Sequence, residues 1–436
     1  MSNSSNQRRR VVISGVGIIS PIGIGVASVW DSLQAQRNGV TRIERLAATA
    51  VPGHVGGEAK GFTEETAKKL YLKAQRKSIK IMCREIQLGV AAANLAIEDG
   101  ALNLETIDHD RLGIEFGANQ MFSPPATLGD PCFAASPNGD FEFDQWGPAG
   151  MGKMEPLWLL KYLPNMPACH IGIHADARGP NNSLTLAEAS GNSAIGEALR
   201  IIQGNRADMM LAGTCGGRIH PVKSLHAALY ERLADFGDAE PATWCRPFDA
   251  TRRGQVVGEG ACVFVMEEEA HAQARGAKIL GTILGTGSSC SVERDGRPNY
   301  RQAINNAVRI ALRDAGLTAA DIGHINAHGL GDPIVDIEEA AAIGDIFGDR
   351  AASIPVTAAK SFLGNSGAAC GMLELAMSLI AMQQGFIPAT ANYANPDPQC
   401  PLNVVHGELA QVTNKVMLKI NVTGNAQAAA VIACGA

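Results

Sequence analysis

The stretch NNSLTLAEASGNSAIGEALR, residues 181–200, predicts a strand that enters a helix through a tight turn. Residues 183–186 end a buried strand, and the small residues at 187–191 form the turn. After the turn, apolar residues recur at helical spacing: Ala194, Ile195, Ala198, Leu199 and Ile202. Such a turn holds Glu188 at the N-terminal end of the helix, where free amide groups and the helix dipole favour negative charge. The position suits an anion or a nucleophile, and this chain places a carboxylate there.

The simplest role for Glu188 is that of a first-turn carboxylate that stabilises the helix, which is worth roughly 0.3–1 kcal/mol. For an isolated Glu at a helix start, this structural role is the more common one. A catalytic or ligand-binding role is the alternative, and the stretch alone leaves both open.

The composition describes a chain with a large interior. It has 436 residues, of which 46% are hydrophobic and 18% charged, so one large domain or two of ordinary size are expected. The 48 glycines exceed the usual share of roughly 7%, as expected for a chain with many strand–helix turns. The net charge of −6 argues against general nucleic-acid binding.

The ten cysteines are scattered singly, with no CxxC pair and no cluster with histidine. This spacing predicts no metal site and favours a reducing compartment, and several of the thiols are expected to be buried. The N-terminal residues 1–10, MSNSSNQRRR, are polar and then basic, and Gly and Pro interrupt the apolar run that follows. We therefore expect no signal peptide, no membrane span and a cytoplasmic location.

An internal repeat divides the chain. Residues 95–102, LAIEDGAL, match residues 310–317, IALRDAGL, at an offset of 215. At the same offset Ile107 falls on Ile322 and His109 on His324, so a duplicated strand–helix unit and two α/β halves around one core are predicted. We divide the chain into a disordered tail at 1–7, an N-terminal half at 8–255 with a loop-rich insertion at 119–168, and a C-terminal half at 256–436.

Further segments occur in a fixed order along nearly the whole chain: RRVVISGVGIISPIGIGVASVWDSLQAQRNGV at 9–40, RGPNNSL at 178–184, IGEALR at 195–200, ADMMLAG at 207–213, RPFDATRRGQVVGEGACVFVMEEEAHAQARGAKI at 246–279, AHGLGDPIVDIEEA at 327–340 and AAKSFLGNSGAACG at 358–371. Together they resemble the β-ketoacyl–acyl-carrier-protein synthases, the condensing enzymes of the thiolase superfamily. The resemblance implies the five-layered α-β-α-β-α sandwich of two similar halves, in agreement with the repeat.

The chemistry of that family needs three parts and no cofactor. A Cys at the helix N-terminus accepts the acyl chain from its carrier as a thioester. Two His residues assist malonyl decarboxylation by holding the enolate oxygen, and backbone amides form an oxyanion hole for the condensation.

This chain departs from that set at several positions. Glu188 occupies the position of the nucleophilic Cys, His328 that of the first His and Asn365 that of the second. Other motif residues are retained, and we expect them to support the site: Lys360, Asp336 and Glu339. The C-terminal loop with the gating Phe of the family reads GNAQ at 424–427, which puts Asn425 at the gate, and Gln255 stands where Phe is usual.

The change at Glu188 decides the expected activity. A carboxylate cannot replace a thiolate as acyl acceptor, because Glu is a weaker nucleophile and a mixed anhydride hydrolyses far more easily than a thioester. We therefore expect no self-acylating condensation. We also expect Lys360 or His328 to pair with Glu188, which would depress the pKa of the carboxylate.

A basic segment lies within residues 68–80 of this acidic protein: Lys68, Lys69, Lys73, Arg76, Lys77 and Lys80. One interpretation is the solvated face of a helix. The other, which the family resemblance implies, is a docking patch for acyl carrier protein.

The resemblance supports three hypotheses of function. The first is a non-condensing subunit of type II fatty acid or polyketide synthesis, similar to a chain-length factor and paired with a Cys-bearing ketosynthase. The second is a malonyl-carrier decarboxylase, although a negative Glu188 would repel the malonyl carboxylate. The third is another acyl-carrier reaction with Glu188 as base or nucleophile. In each case the resemblance implies a homodimer or a heterodimer with a Cys-bearing ketosynthase.

Overall fold

A computed structural model describes residues 8–436, and the tail predicted at 1–7 lies outside the described residues. The strands are β1 Val11–Ser20, β2 Gly23–Ile24, β3 Val40–Arg42, β4 Val55–Gly57, β5 Leu112–Ala118, β6 Asn181–Leu184, β7 Met209–Gly217, β8 Val257–Glu268, β9 Gly281–Cys290, β10 His324–Asn326, β11 Pro355–Thr357, β12 Phe386–Ile387, β13 Asn403–Val404, β14 Ala410–Gln411, β15 Val416–Val422 and β16 Gln427–Gly435. The α-helices are α1 Val26–Gln34, α2 Glu64–Thr66, α3 Arg84–Asp99, α4 Gly129–Ala134, α5 Phe143–Gln145, α6 Met166–Ala175, α7 Ser190–Gln203, α8 Pro221–Tyr230, α9 Glu269–Ala274, α10 Tyr300–Ala315, α11 Pro333–Phe347, α12 Lys360–Leu363 and α13 Cys370–Gln383.

The strand order shows the duplication. One group runs β1-β8-β7-β5-β6 and the other β9-β16-β15-β10-β11, with β1 and β9 joined by a short antiparallel pairing. In each group the first three strands pair with one another in antiparallel, and the last three pair with one another in parallel. The two groups therefore have the same topology, which confirms the repeat predicted from the sequence.

Three hydrophobic clusters define the layers. Helices α7 and α13 pack between the two strand groups, where Leu199 and Leu373 belong to one central cluster. Helices α3 and α6 cover the outer face of the first group, and α10 and α11 cover that of the second. The order helix, sheet, helix, sheet, helix confirms the five-layered sandwich, because each sheet buries both faces against helices.

Glycines allow the outer helices to approach the sheets closely, and they do so in both halves. A Cβ added at Gly17 of β1 would lie 1.8 Å from the carbonyl oxygen of Ala92 in α3. A Cβ added at Gly287 of β9 would lie 2.2 Å from the carbonyl oxygen of Ala307 in α10. The close approach explains part of the high glycine content.

The matched residues 95–102 and 310–317 lie at the C-terminal ends of α3 and α10, and each helix leads through a 3₁₀ turn into the next strand, β5 or β10.

The division of the chain near residue 255 stays a prediction. Strand β8, which begins at Val257, pairs with β1 and β7. Residues 119–168 contain the short helices α4 and α5 and several turns. Within residues 8–436, no helix has the length and apolar character needed to cross a membrane.

Candidate functional site

Glu188 lies in a 3₁₀ turn, Ala187–Ala189, between β6 and α7, so the predicted order of strand, turn and helix is confirmed. The prediction that the strand is buried is wrong, because β6 ends at Leu184 and lies at the edge of the sheet, where its residues are exposed or half-buried. The turn is strained, because Ala187 has a φ of 43°, in the left-handed region that residues with a Cβ seldom adopt. The backbone N–H of Leu186 donates to Ser190 Oγ at 2.9 Å and closes the turn. The Glu188 side chain is half-buried at the start of α7.

The second half places a similar turn, Gly367–Ala369, before α13, and Asn365 precedes it. Asn365 Oδ1 accepts from the backbone N–H of Gly367 at 2.9 Å, which fixes the orientation of the amide. Asn365 Nδ2 donates to Glu188 Oε1 at 2.9 Å and to Gln255 Oε1 at 2.6 Å. Two residues predicted to share the site, Glu188 and Asn365, are therefore in contact, and Gln255 joins them.

Gln255 continues the hydrogen-bond network toward two residues that the sequence did not indicate, Arg218 and Glu231. Gln255 Oε1 accepts from Arg218 Nη1 at 2.8 Å, and Gln255 Nε2 donates to Glu231 Oε2 at 2.7 Å. Arg218 also forms an ion pair with Glu231. The only signal for Arg218 was its place directly after β7, since ligands of α/β proteins often bind at the carboxyl ends of strands.

His328 follows β10 on a loop held by buried carboxylates. The backbone N–H groups of His328 and Gly329 donate to the two oxygens of Glu339 at 2.6 and 2.8 Å. Asp336 accepts from the N–H groups of Leu330 and Gly331, and burial raises the pKa of Asp336 to about 7. Glu339 and Asp336 therefore position the loop by binding its backbone.

The His328 ring is neutral, and its proton can be assigned. His328 Nδ1 lies 3.2 Å from Lys360 Nζ, which can only donate, so Nδ1 accepts and the proton is on Nε2. Burial and then the charges of Lys360 and Lys419 lower the pKa of His328 well below its usual value. His328 therefore presents a neutral N–H donor.

Lys360 belongs to a buried charged cluster with Glu374 and Lys419. Lys360 Nζ lies 2.8 Å from Glu374 Oε1, and Lys419 Nζ lies 2.5 Å from Glu374 Oε2. Burial alone would raise the pKa of Glu374, but the two ammonium groups outweigh it and hold this pKa below its usual value. Burial lowers the pKa of Lys419 to about 8.

The expected pairing of Lys360 or His328 with Glu188 is wrong. Lys360 instead forms an ion pair with Glu374, and its Nζ donates to the backbone carbonyl oxygen of His328 at 2.7 Å. In the described part of the chain, no Lys, Arg or His nitrogen lies within 4.0 Å of the Glu188 carboxylate.

Glu188 faces a cavity of about 330 Å³. Its wall also includes other residues predicted for the site, namely His328, Gln255 and Asn425. Polar residues complete the wall: Asn119, Gln120, Arg218, Lys223, His226 and Glu231. Asn365, Lys360, Asp336 and Glu339 are buried outside this wall and support the residues that form it. Within residues 8–436, no group of three or more His, Cys, Asp or Glu side chains is placed to hold a metal ion.

The comparison with known families matches the chain over most of its length. Residues 8–272 match the model of the β-ketoacyl synthase N-terminal domain, and residues 280–394 match that of the C-terminal domain. The chain belongs to the β-ketoacyl synthase family. The 3-oxoacyl-[acyl-carrier-protein] synthase 2 of Coxiella burnetii is 33% identical over 407 residues, which cover 93% of this chain and 94% of that protein.

Solved ketosynthase structures have the same fold. The ishigamide ketosynthase/chain length factor superposes with a TM-score of 0.84 at 28% identity, covering 98% of this chain and 100% of that chain. A type II polyketide synthase acyl-carrier protein in complex with its ketosynthase, bound to the hexaketide, gives a TM-score of 0.83 at 23% identity, covering 99% and 100% of the two chains. The second likeness supports the fold only.

In this β-ketoacyl synthase family member, the basic side chains are exposed: Lys68, Lys69, Lys73, Arg76, Lys77 and Lys80. They lie on short helical segments and turns that follow α2. Two of them pair with neighbouring acids, Lys68 with Glu64 at 3.7 Å and Lys69 with Glu65 at 2.6 Å. None lines the cavity, and docking of a carrier protein to this segment stays a prediction.

Proposed function

We propose that this chain is a non-condensing, chain-length-factor-like subunit that pairs with a Cys-bearing ketosynthase. The family membership supports a role in acyl-carrier-dependent synthesis. The nucleophile position holds Glu188, which cannot form a stable thioester with the acyl chain. The subunit therefore contributes shape and contacts to its partner rather than a covalent acyl enzyme.

The observation that carries this proposal is the engagement of Asn365. In the family, the residue at this position must offer a hydrogen bond to the enolate that forms when malonyl loses carbon dioxide. Asn365 Nδ2 has two hydrogens, and it donates to Glu188 Oε1 and to Gln255 Oε1. Glu188 and Gln255 line the cavity and Asn365 does not, so its amide offers no free donor to a substrate.

The same geometry makes the alternatives weaker. Decarboxylation would retain His328 Nε2–H as one donor, but it would lack the second donor and would place the malonyl carboxylate near Glu188. A reaction with Glu188 as base would have to release the carboxylate from Asn365, 2.9 Å away. We therefore rank both below the non-condensing role.

The partner surface is proposed from the edge of the sheet. Strand β6 ends the strand order, and Asn181 and Asn182 on it are exposed. Helix α6 contacts β6 and carries Ile173, whose exposed fraction is 81%. An unpaired strand edge beside an exposed apolar side chain is suited to pair with a strand of a second subunit. We propose that the dimer forms through this edge.

We also propose that acyl carrier protein docks at the basic segment after α2, and that the protein has a cytoplasmic location.

The first test is co-purification and acylation. We expect the chain to co-purify with a Cys-bearing ketosynthase, and the pair to condense acyl and malonyl groups on acyl carrier protein. Intact-mass spectrometry should show an acyl group on the partner and none on this chain. The partner with its Cys replaced by Ala is the control, and it should abolish the acyl adduct. An acyl adduct on this chain, or condensation by this chain alone, would disprove the proposal.

A further inference from the structure

The Glu188 carboxylate has no cation within 4.0 Å among residues 8–436. In the described part of the chain, the one hydrogen bond to the Glu188 carboxylate comes from the neutral amide of Asn365, at 2.9 Å. The cations nearest in the wall are engaged elsewhere: Arg218 pairs with Glu231, and Lys223 pairs with Glu85. Glu188 therefore shares the electrostatic attraction of Arg218 with Glu231, and it has no cation of its own in direct contact.

A second chamber of about 640 Å³ adjoins the first and shares Glu231, Gln255 and Leu330 with it. It has more carboxylates than cations. The carboxylates are Glu231, which is already paired with Arg218, together with Glu293, Asp332 and Glu338, and the cations are Arg232 and Arg297. A wall with an excess of carboxylates attracts cations and repels anions, so the chambers together disfavour a malonyl group and favour a positively charged one.

The cavity wall also offers a hydrogen-bond donor without a partner. His328 is 1% exposed and lines the cavity, and Lys360 binds its ring through Nδ1. Its Nε2–H has no hydrogen-bond partner in the described part of the chain, and because His328 lines the cavity this donor is available to a ligand. A carbonyl oxygen is the natural acceptor for a neutral imidazole N–H.

We propose that this cavity binds an acyl group that carries a protonated amine, with the ammonium on Glu188 and the acyl carbonyl accepting from His328 Nε2–H. Binding is non-covalent, and a group with a terminal carboxylate is excluded by Glu188. The cavity volume, about 330 Å³, suits a short aminoacyl thioester. The inference rests on the proposed function in one respect: a carrier protein would deliver the acyl group to the cavity.

The test is calorimetry on the purified full-length chain at neutral pH with three N-acetylcysteamine thioesters. The 3-aminopropanoyl thioester has an ammonium where the butanoyl thioester has a methyl group, and the malonyl thioester has a carboxylate. We expect the aminopropanoyl probe to bind at least about tenfold more tightly than the butanoyl probe, and the malonyl probe to bind most weakly, since each tenfold step is about 1.4 kcal/mol.

Glu188→Gln removes the charge and keeps an oxygen that can accept from Asn365. In this variant the aminopropanoyl and butanoyl probes should bind equally. The control is Glu197→Gln, which changes an α7 carboxylate that pairs with Arg200 outside the cavity wall, and it should keep the tenfold preference. Equal binding by the parent chain, a preference that survives Glu188→Gln, or no binding of any probe would each overturn the inference. These readouts are independent of co-purification and acylation, so a failure here leaves the proposed function standing.

Discussion

Replacing Glu374 by leucine is expected to lower the free energy of unfolding by about 3–5 kcal/mol, the usual effect of removing one partner from a buried ion pair. Glu374 is 1% exposed and lies between Lys360 and Lys419, which are equally inaccessible. Without the carboxylate, two ammonium groups would remain in the interior with no other carboxylate of residues 8–436 within 4.0 Å. The large loss of stability is therefore expected because two positive charges are left buried without a partner, and not because the side chain at position 374 changes in volume.

Urea unfolding of the parent chain and the Glu374→Leu variant measures the loss. Glu197→Gln is the matched control, because it removes a carboxylate from an exposed ion pair with Arg200, which contributes at most about 1 kcal/mol. A loss below about 1 kcal/mol in Glu374→Leu would show that the two lysines are not held by this carboxylate.

Replacing His324 by leucine is expected to stabilise the protein in acid, by about 2 kcal/mol at pH 5 relative to its effect at pH 8. His324 is fully buried in β10, and both ring nitrogens lack a hydrogen-bond partner among residues 8–436. Burial lowers the pKa of His324 to about 4, below the unfolded value near 6.5. Between these pH values the unfolded chain binds a proton that the folded chain does not, so folding stability is lost as the pH falls from 6.5 to 4.

Leucine at position 324 removes this proton uptake, so the difference in unfolding free energy between variant and parent should grow as the pH is lowered. Urea unfolding at pH 5 and pH 8 measures it. The control is His226→Gln, at an exposed ring. An equal effect of His324→Leu at both pH values would contradict the assignment of acid sensitivity to this residue.

Much of the fold could be predicted because its signals are local or repeated. The turn at Glu188 follows from small residues between a strand and a helical stripe, and the structure has that turn at Ala187–Ala189. The duplication follows from two helix ends at a constant offset, and the matching strand orders have the same cause. Each of these features depends on neighbouring residues or on a pattern that the chain contains twice.

The candidate site could be predicted only in part. The positions of Glu188, His328 and Asn365 came from the family resemblance, and the contact between Glu188 and Asn365 agrees with it. Arg218 and Glu231 were missed because an ion pair between separate segments leaves no pattern along the chain.

The sequence by itself determined the duplication, the turn and the identity of the residue at the nucleophile position, because backbone geometry and helical spacing are encoded over short distances. Only the tertiary structure decided which charged side chains form ion pairs. Lys360 could have reached Glu188 as far as the sequence shows, but packing of α13 against β15 places Glu374 and Lys419 beside it. Since a buried lysine must lie next to an anion, that packing engages Lys360 and leaves Glu188 with a neutral amide.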